Sequence, residues 1–158
     1  MTALPPEVLG IDPGVRGGLA LLNPDGAVST TVQFEGMTET ELAASVRSVS
    51  LSRPVCVIEK VGYIKGDGAM GSFTFGKIYG LLRGLALGLN LEIVDVYPMM
   101  WQSSLCCLSS GNKNVTKNKA ISLFPAYHAQ RPRGITHGIA DALLIAEYGR
   151  RIGIREAE

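Results

Sequence analysis

A mixed α/β sheet of about five strands, flanked by helices, is the fold the sequence predicts, and three observations predict it. Short apolar runs separated by turn residues fill the first third of the chain, strand and helix patterns then alternate, and an almost wholly apolar helix closes it. At 158 residues and 46% hydrophobic, the chain supplies one core, so a single domain over 1–158 is expected.

Residues 7–12 (EVLGID) form an apolar run that ends in a carboxylate and meets Pro13-Gly14. The run from Gly17 and Gly18 into LALL predicts a second strand, and Asn23-Pro24-Asp25-Gly26 is a hairpin turn leading to a third over 27–34. Over 38–49, Leu42, Val46 and Val49 recur at helical spacing behind Thr38 as N-cap, with Glu39 and Glu41 in the first turn. Residues 54–61 (PVCVIEKV) read as a central strand, and a glycine-bearing loop follows over 62–71.

A second helix is predicted over 72–89, with Gly76, Gly80, Gly84 and Gly88 every four residues on one face. Each helical glycine costs up to about 1 kcal/mol relative to alanine, so close packing is expected there, either on the protein's own sheet or helices or between subunits. A fifth strand is expected over 91–96, short helices over 99–108 and 116–123, and the last helix over 136–150.

Net charge is only +1, which by itself points to no nucleic-acid partner. Its distribution says more: residues 96–140 contain no acid, while Lys113, Lys117, Lys119, Arg131 and Arg133 are all cationic. The apolar stretch 78–91 is interrupted by Arg83 and falls short of the roughly 20 residues a membrane span needs, so no membrane association is expected. Nothing over 1–6 reads as a targeting segment. Cys56, Cys106 and Cys107 have no metal spacing and read as reduced packing residues.

Three carboxylates stand where a core belongs. Asp12 ends one apolar strand, Glu59 nearly ends another, and Asp141 interrupts the apolar face of the last helix. Alone, Asp12 suits a turn and Glu59 a strand end. Together they ask for a common partner, because a buried carboxylate without one costs several kcal/mol. Only Lys60 adjoins one of them, and strand alternation turns it to the opposite face from Glu59. His137 lies four residues before Asp141 and shares its helix face, so Asp12, Glu59, His137 and Asp141 form a candidate catalytic and metal-binding set. Hard oxygen donors suit Mg²⁺, with Mn²⁺ able to substitute.

The ordered segments LGIDPGVRGGLALL, VIEKV, FGKIYGLLRG, Tyr97-Pro98 to Trp101, the lysine stretch up to Pro125, and HGIADALLIAEYG resemble the RuvC-like Holliday junction resolvases, above all their chloroplast (monokaryotic-chloroplast) branch. That resemblance implies a ribonuclease H-like fold of RuvC type, and an endonuclease that resolves four-way DNA junctions by paired nicks through two ions per active site. It also implies a homodimer through the second helix, with Gly76, Gly80 and Gly84 at the interface, and residence in the chloroplast nucleoid. DNA contacts follow at Lys113, Lys117, Lys119, Arg131 and Arg133, with Tyr63, Ile64 and Met70 of the 62–71 loop as candidates at the junction centre and Lys65 at the DNA backbone. His137 departs from the all-acidic pattern of many members. IDPG also opens actin-like ATPases, which need a second lobe that this chain does not supply. A catalytically silent junction-binding module and an RNA-processing nuclease of the same superfamily are the remaining alternatives.

Overall fold

The computed structural model describes residues 5–60, 62, 66 and 68–153. Five strands, β1 (Val8–Asp12), β2 (Gly18–Leu22), β3 (Val28–Gln33), β4 (Val55–Glu59) and β5 (Ile93–Val96), lie in the order β3-β2-β1-β4-β5. Strand β2 runs antiparallel to both β1 and β3, with the tight turn at Gly26 joining β2 to β3, whereas β4 and β5 run parallel to β1.

Period-two alternation sorts the side chains of the central strands into two cores. Val8 of β1 and Val57 of β4 face one core, while Leu9, Ile11, Cys56 and Ile58 face the other. The second core is closed by α1 (Glu39–Val49) and α2 (Gly68–Gly88). The first is closed by α3 (Pro98–Ser104), α4 (Lys113–Leu123), a short α5 (Pro125–Ala129) and α6 (His137–Tyr148), which ends in a π-helical turn, Gly149–Gly153. A large apolar side chain buried in either core contributes about 1.5–3 kcal/mol. An exposed ion pair such as Arg16–Glu35 or Lys77–Glu39 contributes about 0–1 kcal/mol, so apolar burial sets the layers.

Glycines bring α6 onto the sheet. A Cβ at Gly10 would collide with the Ala142 carbonyl oxygen and with Ala146, and one at Gly138 with the Arg16 carbonyl oxygen. The glycines of α2 do the opposite. Nothing lies within 4 Å of a Cβ built at Gly76, Gly80, Gly84 or Gly88, so the stripe faces outward and docking on the protein's own sheet or helices is not its reason.

Most element boundaries follow the sequence expectation. Thr38 caps α1, with a reciprocal bond to Glu41, and Thr136 caps α6. Helix α2 starts at Gly68, four residues before the expected Ser72, so Met70 sits on a helix rather than in a loop. Tyr63, Ile64 and Lys65 lie outside the described residues. Cys56 and Cys107 are buried free thiols, but Cys106 is exposed with positive φ, so it is a turn residue rather than a packing residue. Among the described residues, no helix is long and apolar enough to cross a membrane.

Candidate active site

Asp12 falls on the same face of β1 as Val8 and Gly10, and Glu59 on the same face of β4 as Val57, so both carboxylates point toward the α6 layer. The parallel register pairs Ile11 with Ile58, which sets Asp12 and Glu59, the next residues, side by side at the C-terminal ends of adjacent strands. Asp141, one turn into α6, comes down from above. His137 opens that helix four residues earlier. All four line one cavity of about 720 Å³, together with Gly14, Arg16, Gln33, Glu35, Pro98, Lys113 and Thr136.

The three acids feel one another. Desolvation is the largest influence on Asp12, followed by repulsion from Asp141, and together they raise its pKa from 3.8 to about 6 against the Gly14 N–H and the Lys113 charge. Desolvation, then repulsion from Asp12, raises Glu59 from 4.5 to about 8, although the Trp101 N–H opposes the shift. Asp141 is also raised by desolvation, against a hydrogen bond from Thr116 and the charge of Lys113.

A hydrogen-bond donor stands behind each of the two strand carboxylates. The Gly14 N–H donates to Asp12 Oδ1 at 3.1 Å and Trp101 Nε1–H donates to Glu59 Oε2 at 2.6 Å, whereas the Thr116 hydroxyl, which lowers the Asp141 pKa from nearby, donates to the Lys113 carbonyl at 3.2 Å. Asp141 Oδ1 and His137 Nδ1 are nevertheless buried without any hydrogen-bond partner. A buried polar atom left unpaired costs about 1–3 kcal/mol, and two of them on residues that line one polar cavity are what a cation or a phosphate would satisfy. Among the described residues, no three of these groups close on a single point tightly enough to cage one ion. Carboxylates with nothing positive between them repel, and the same repulsion appears in their proton affinities.

The expected DNA-contacting residues separate by position. Lys113 lies on the cavity rim, and Lys117 stands one turn along the same face of α4, whereas Lys119 acts on the Cys107 thiol outside the cavity lining. The Arg131 guanidinium stacks 3.3 Å from the Tyr127 ring centre and donates to the Tyr127 carbonyl at 3.1 Å, while the Tyr127 hydroxyl bonds Thr31. No carboxylate among the described residues pairs with Arg131. Its groove, about 220 Å³, shares Gln33 and Thr136 with the carboxylate cavity. Arg133 is exposed and Met70 is 78% exposed. A separate cavity of about 340 Å³ beside the β2–β3 turn contains neither carboxylate nor cation.

Sequence reading missed Gln33, Arg16 and Trp101. Gln33 bonds both the Arg16 carbonyl and the Thr136 hydroxyl, tying the β1–β2 loop to the start of α6. A single glutamine at the end of a polar strand gives no signal of that role. Trp101 entered only as the end of a resembling segment; it is buried in the core, and its one N–H reaches the site.

A β3-β2-β1-β4-β5 sheet carrying acids at the ends of β1 and β4, with a further acid on the closing helix, is the ribonuclease H-like fold in its RuvC form. The resemblance to RuvC-like resolvases is borne out by comparison with known proteins. Over 110 residues the chain is 28% identical to the chloroplastic Holliday junction resolvase MOC1 of Chlamydomonas reinhardtii; the match covers 68% of this chain but only 12% of that protein. T. thermophilus RuvC in complex with a Holliday junction substrate superposes with TM-score 0.68 at 18% identity, over 93% of this chain and 96% of RuvC. Fowlpox virus resolvase, in complex with substrate junction DNA, gives TM-score 0.58 at 14% identity over 91% and 96% of the two chains. No protein-family model matches the chain.

Proposed function

We propose that the chain is a metal-dependent endonuclease, one domain over 1–158, that resolves four-way (Holliday) DNA junctions by paired symmetric nicks. The observation that carries this reading is the convergence of Asp12, Glu59, Asp141 and His137 on one cavity with a cationic rim. The RuvC-type fold and the likeness to a chloroplastic resolvase support the choice of a four-way junction as substrate, and the latter supports plastid residence.

The residues fit divalent cations. Carboxylate oxygens are the hard donors that Mg²⁺ or Mn²⁺ prefers, and the unpartnered Asp141 Oδ1 faces the same cavity as its two neighbours. Asp12, Glu59 and Asp141 would hold the ions, two per site, since their charges act on one another across the cavity. When bound, such ions supply Lewis-acid charge for phosphodiester hydrolysis and lower the pKa of water. His137 presents Nδ1 either as a ligand or as the atom that carries a proton to or from the reacting groups.

The chain's cations position the strand. Lys113 and Lys117 neutralise the scissile phosphate, and the stacked Arg131 holds the backbone where it leaves the cavity, with Lys119 and Arg133 contributing longer-range attraction. By resemblance, Met70 and Tyr63 would reach the junction centre and Lys65 the DNA backbone beside it. Dimerisation places two cavities about a two-fold axis, which coordinated nicking of opposite strands requires. The outward stripe of Gly76, Gly80 and Gly84 on α2, bordered by exposed Phe73 and Leu87, lets a second copy approach closely.

Incubating a labelled four-way junction with wild type and Asp12→Asn in Mg²⁺ tests the proposal. Wild type is expected to release paired nicks, and Asp12→Asn to bind the junction but cut it at least about 100-fold more slowly. Equal cutting by both proteins sinks the mechanism. A junction that wild type binds but leaves intact in Mg²⁺ and in Mn²⁺ would make the chain a binding module instead.

A further inference from the structure

Trp101 is the single tryptophan of the chain, lies 1% exposed on the seven-residue α3, and spends its one polar atom on Glu59. An indole N–H can donate but never accept. Glu59 Oε2 is therefore the acceptor, held at 2.6 Å, and the carboxylate plane is set against a ring buried in the core. The ring is locked because it packs within the same core as Ile139, Leu143 and Leu144 of α6. Its backbone is fixed as well: Pro98 begins α3, and the Leu105 N–H bonds the Trp101 carbonyl at 3.0 Å.

Glu59 differs from its two neighbours in needing this help. Asp12 has a short side chain and a backbone N–H from Gly14, and Asp141 is carried on a buried helix with Thr116 behind it. A glutamate has one more rotatable bond than an aspartate, so without a donor its carboxylate would sweep the cavity. We propose that Trp101 is the positioning residue of this site, pinning Glu59 Oε2 so that Oε1 is directed to a divalent cation shared with Asp12 and Asp141. The inference rests on the metal-dependent reading above and adds a determinant of ion affinity that touches neither ion nor DNA. Groups behind a metal ligand act through its orientation, and their loss typically weakens metal affinity or activity about 10- to 100-fold.

The test replaces the N–H and nothing else. Because the chain has one tryptophan, growth on β-(3-benzothienyl)alanine substitutes Trp101 by an isostere with sulfur in place of the N–H, and Trp101→Phe serves as a second variant. Mn²⁺ affinity is measured by calorimetry on the folded protein, alongside junction affinity and the single-turnover cleavage rate. Both variants are expected to bind Mn²⁺ about 10-fold or more weakly and to cut more slowly at limiting Mn²⁺, with junction affinity unchanged and cutting partly restored by excess Mn²⁺. A merely structural role would alter melting temperature without this split. An isostere protein that binds Mn²⁺ and cuts as wild type does overturns the role of Trp101 alone. Wild type that binds no divalent ion overturns the metal-dependent reading and this inference together.

Discussion

Two carboxylates on one helix, Asp141 near the start of α6 and Glu147 near its end, have opposite fates. Desolvation pushes both upward. At Glu147, hydrogen bonds from Arg150 and Arg151 outweigh it, so its pKa lies below the ordinary value, and the Arg150 bond measures 2.8 Å. At Asp141 only Thr116 and Lys113 oppose it, the pKa stays raised, and Oδ1 has no partner. The difference teaches how to separate structure from function. A buried acid with its own arginines is finished when the chain folds, whereas one that keeps an empty acceptor over a polar cavity is built for something that arrives later.

Exchanging the acids for amides tests this contrast most strongly. Asp141→Asn is expected to abolish junction cutting by at least about 100-fold in a single-turnover assay while leaving metal-free stability equal or higher, because a neutral amide removes a poorly satisfied acid. Loss of fold instead of loss of cutting would place Asp141 with Glu147 as a structural acid.

The pH dependence of metal-free stability comes next. Asp12 at about 6 and Glu59 at about 8 lie above their ordinary values of 3.8 and 4.5, so their contribution is fully present below about pH 4 and is lost as pH rises through 6 and then 8. Metal-free protein should therefore lose on the order of a few kcal/mol of stability between pH 5 and about pH 8, seen as a falling melting temperature, with Glu59→Gln flattening the upper part. Mg²⁺ should reverse the trend at the alkaline end, where it binds deprotonated ligands. Glu147 carries the opposite sign, its contribution being lost only as pH falls through its lowered value. Thermal melts across pH with chelator and with Mg²⁺ read both.

Glu147→Gln is expected to lower stability in urea by about 1–2 kcal/mol, below the cost of breaking a fully buried pair because both arginines reach solvent, while cutting per folded molecule is unchanged. Smallest is Thr116→Val, which removes a hydroxyl that donates to the Lys113 carbonyl and lowers the Asp141 pKa from nearby. A loss of about 1 kcal/mol in stability and a few-fold in Mn²⁺ affinity should follow by calorimetry, with no change in junction binding.

Legibility in the sequence tracked how local the cause was. Asp12 and Glu59 were legible as acids at the ends of apolar strands, and the His137–Asp141 pairing because i and i+4 share a helix face, but only the β1–β4 register puts the two strand acids side by side. The capping of α1 was readable for the same reason, since Thr38 and Glu41 are three residues apart. The outward direction of the α2 glycines was not. Close packing inside and close packing between subunits demand the same residues, and only the position of α2 over the sheet shows that its small face looks away. Lys119 illustrates a similar limit, because its neighbour Cys107 comes from a separate segment.

By itself, then, the sequence determined the order of strands and helices, the apolar identity of the closing helix, and three acids whose surroundings were too apolar for ordinary surface residues. Tertiary structure decided which donors stand behind those acids, that Trp101 serves Glu59 across 42 positions of chain, and that Glu147 is already neutralised while Asp141 is not. The reason is physical. Periodicity and capping are set by neighbours within a few residues, whereas desolvation and hydrogen-bond satisfaction depend on every segment that folding brings within a few ångströms.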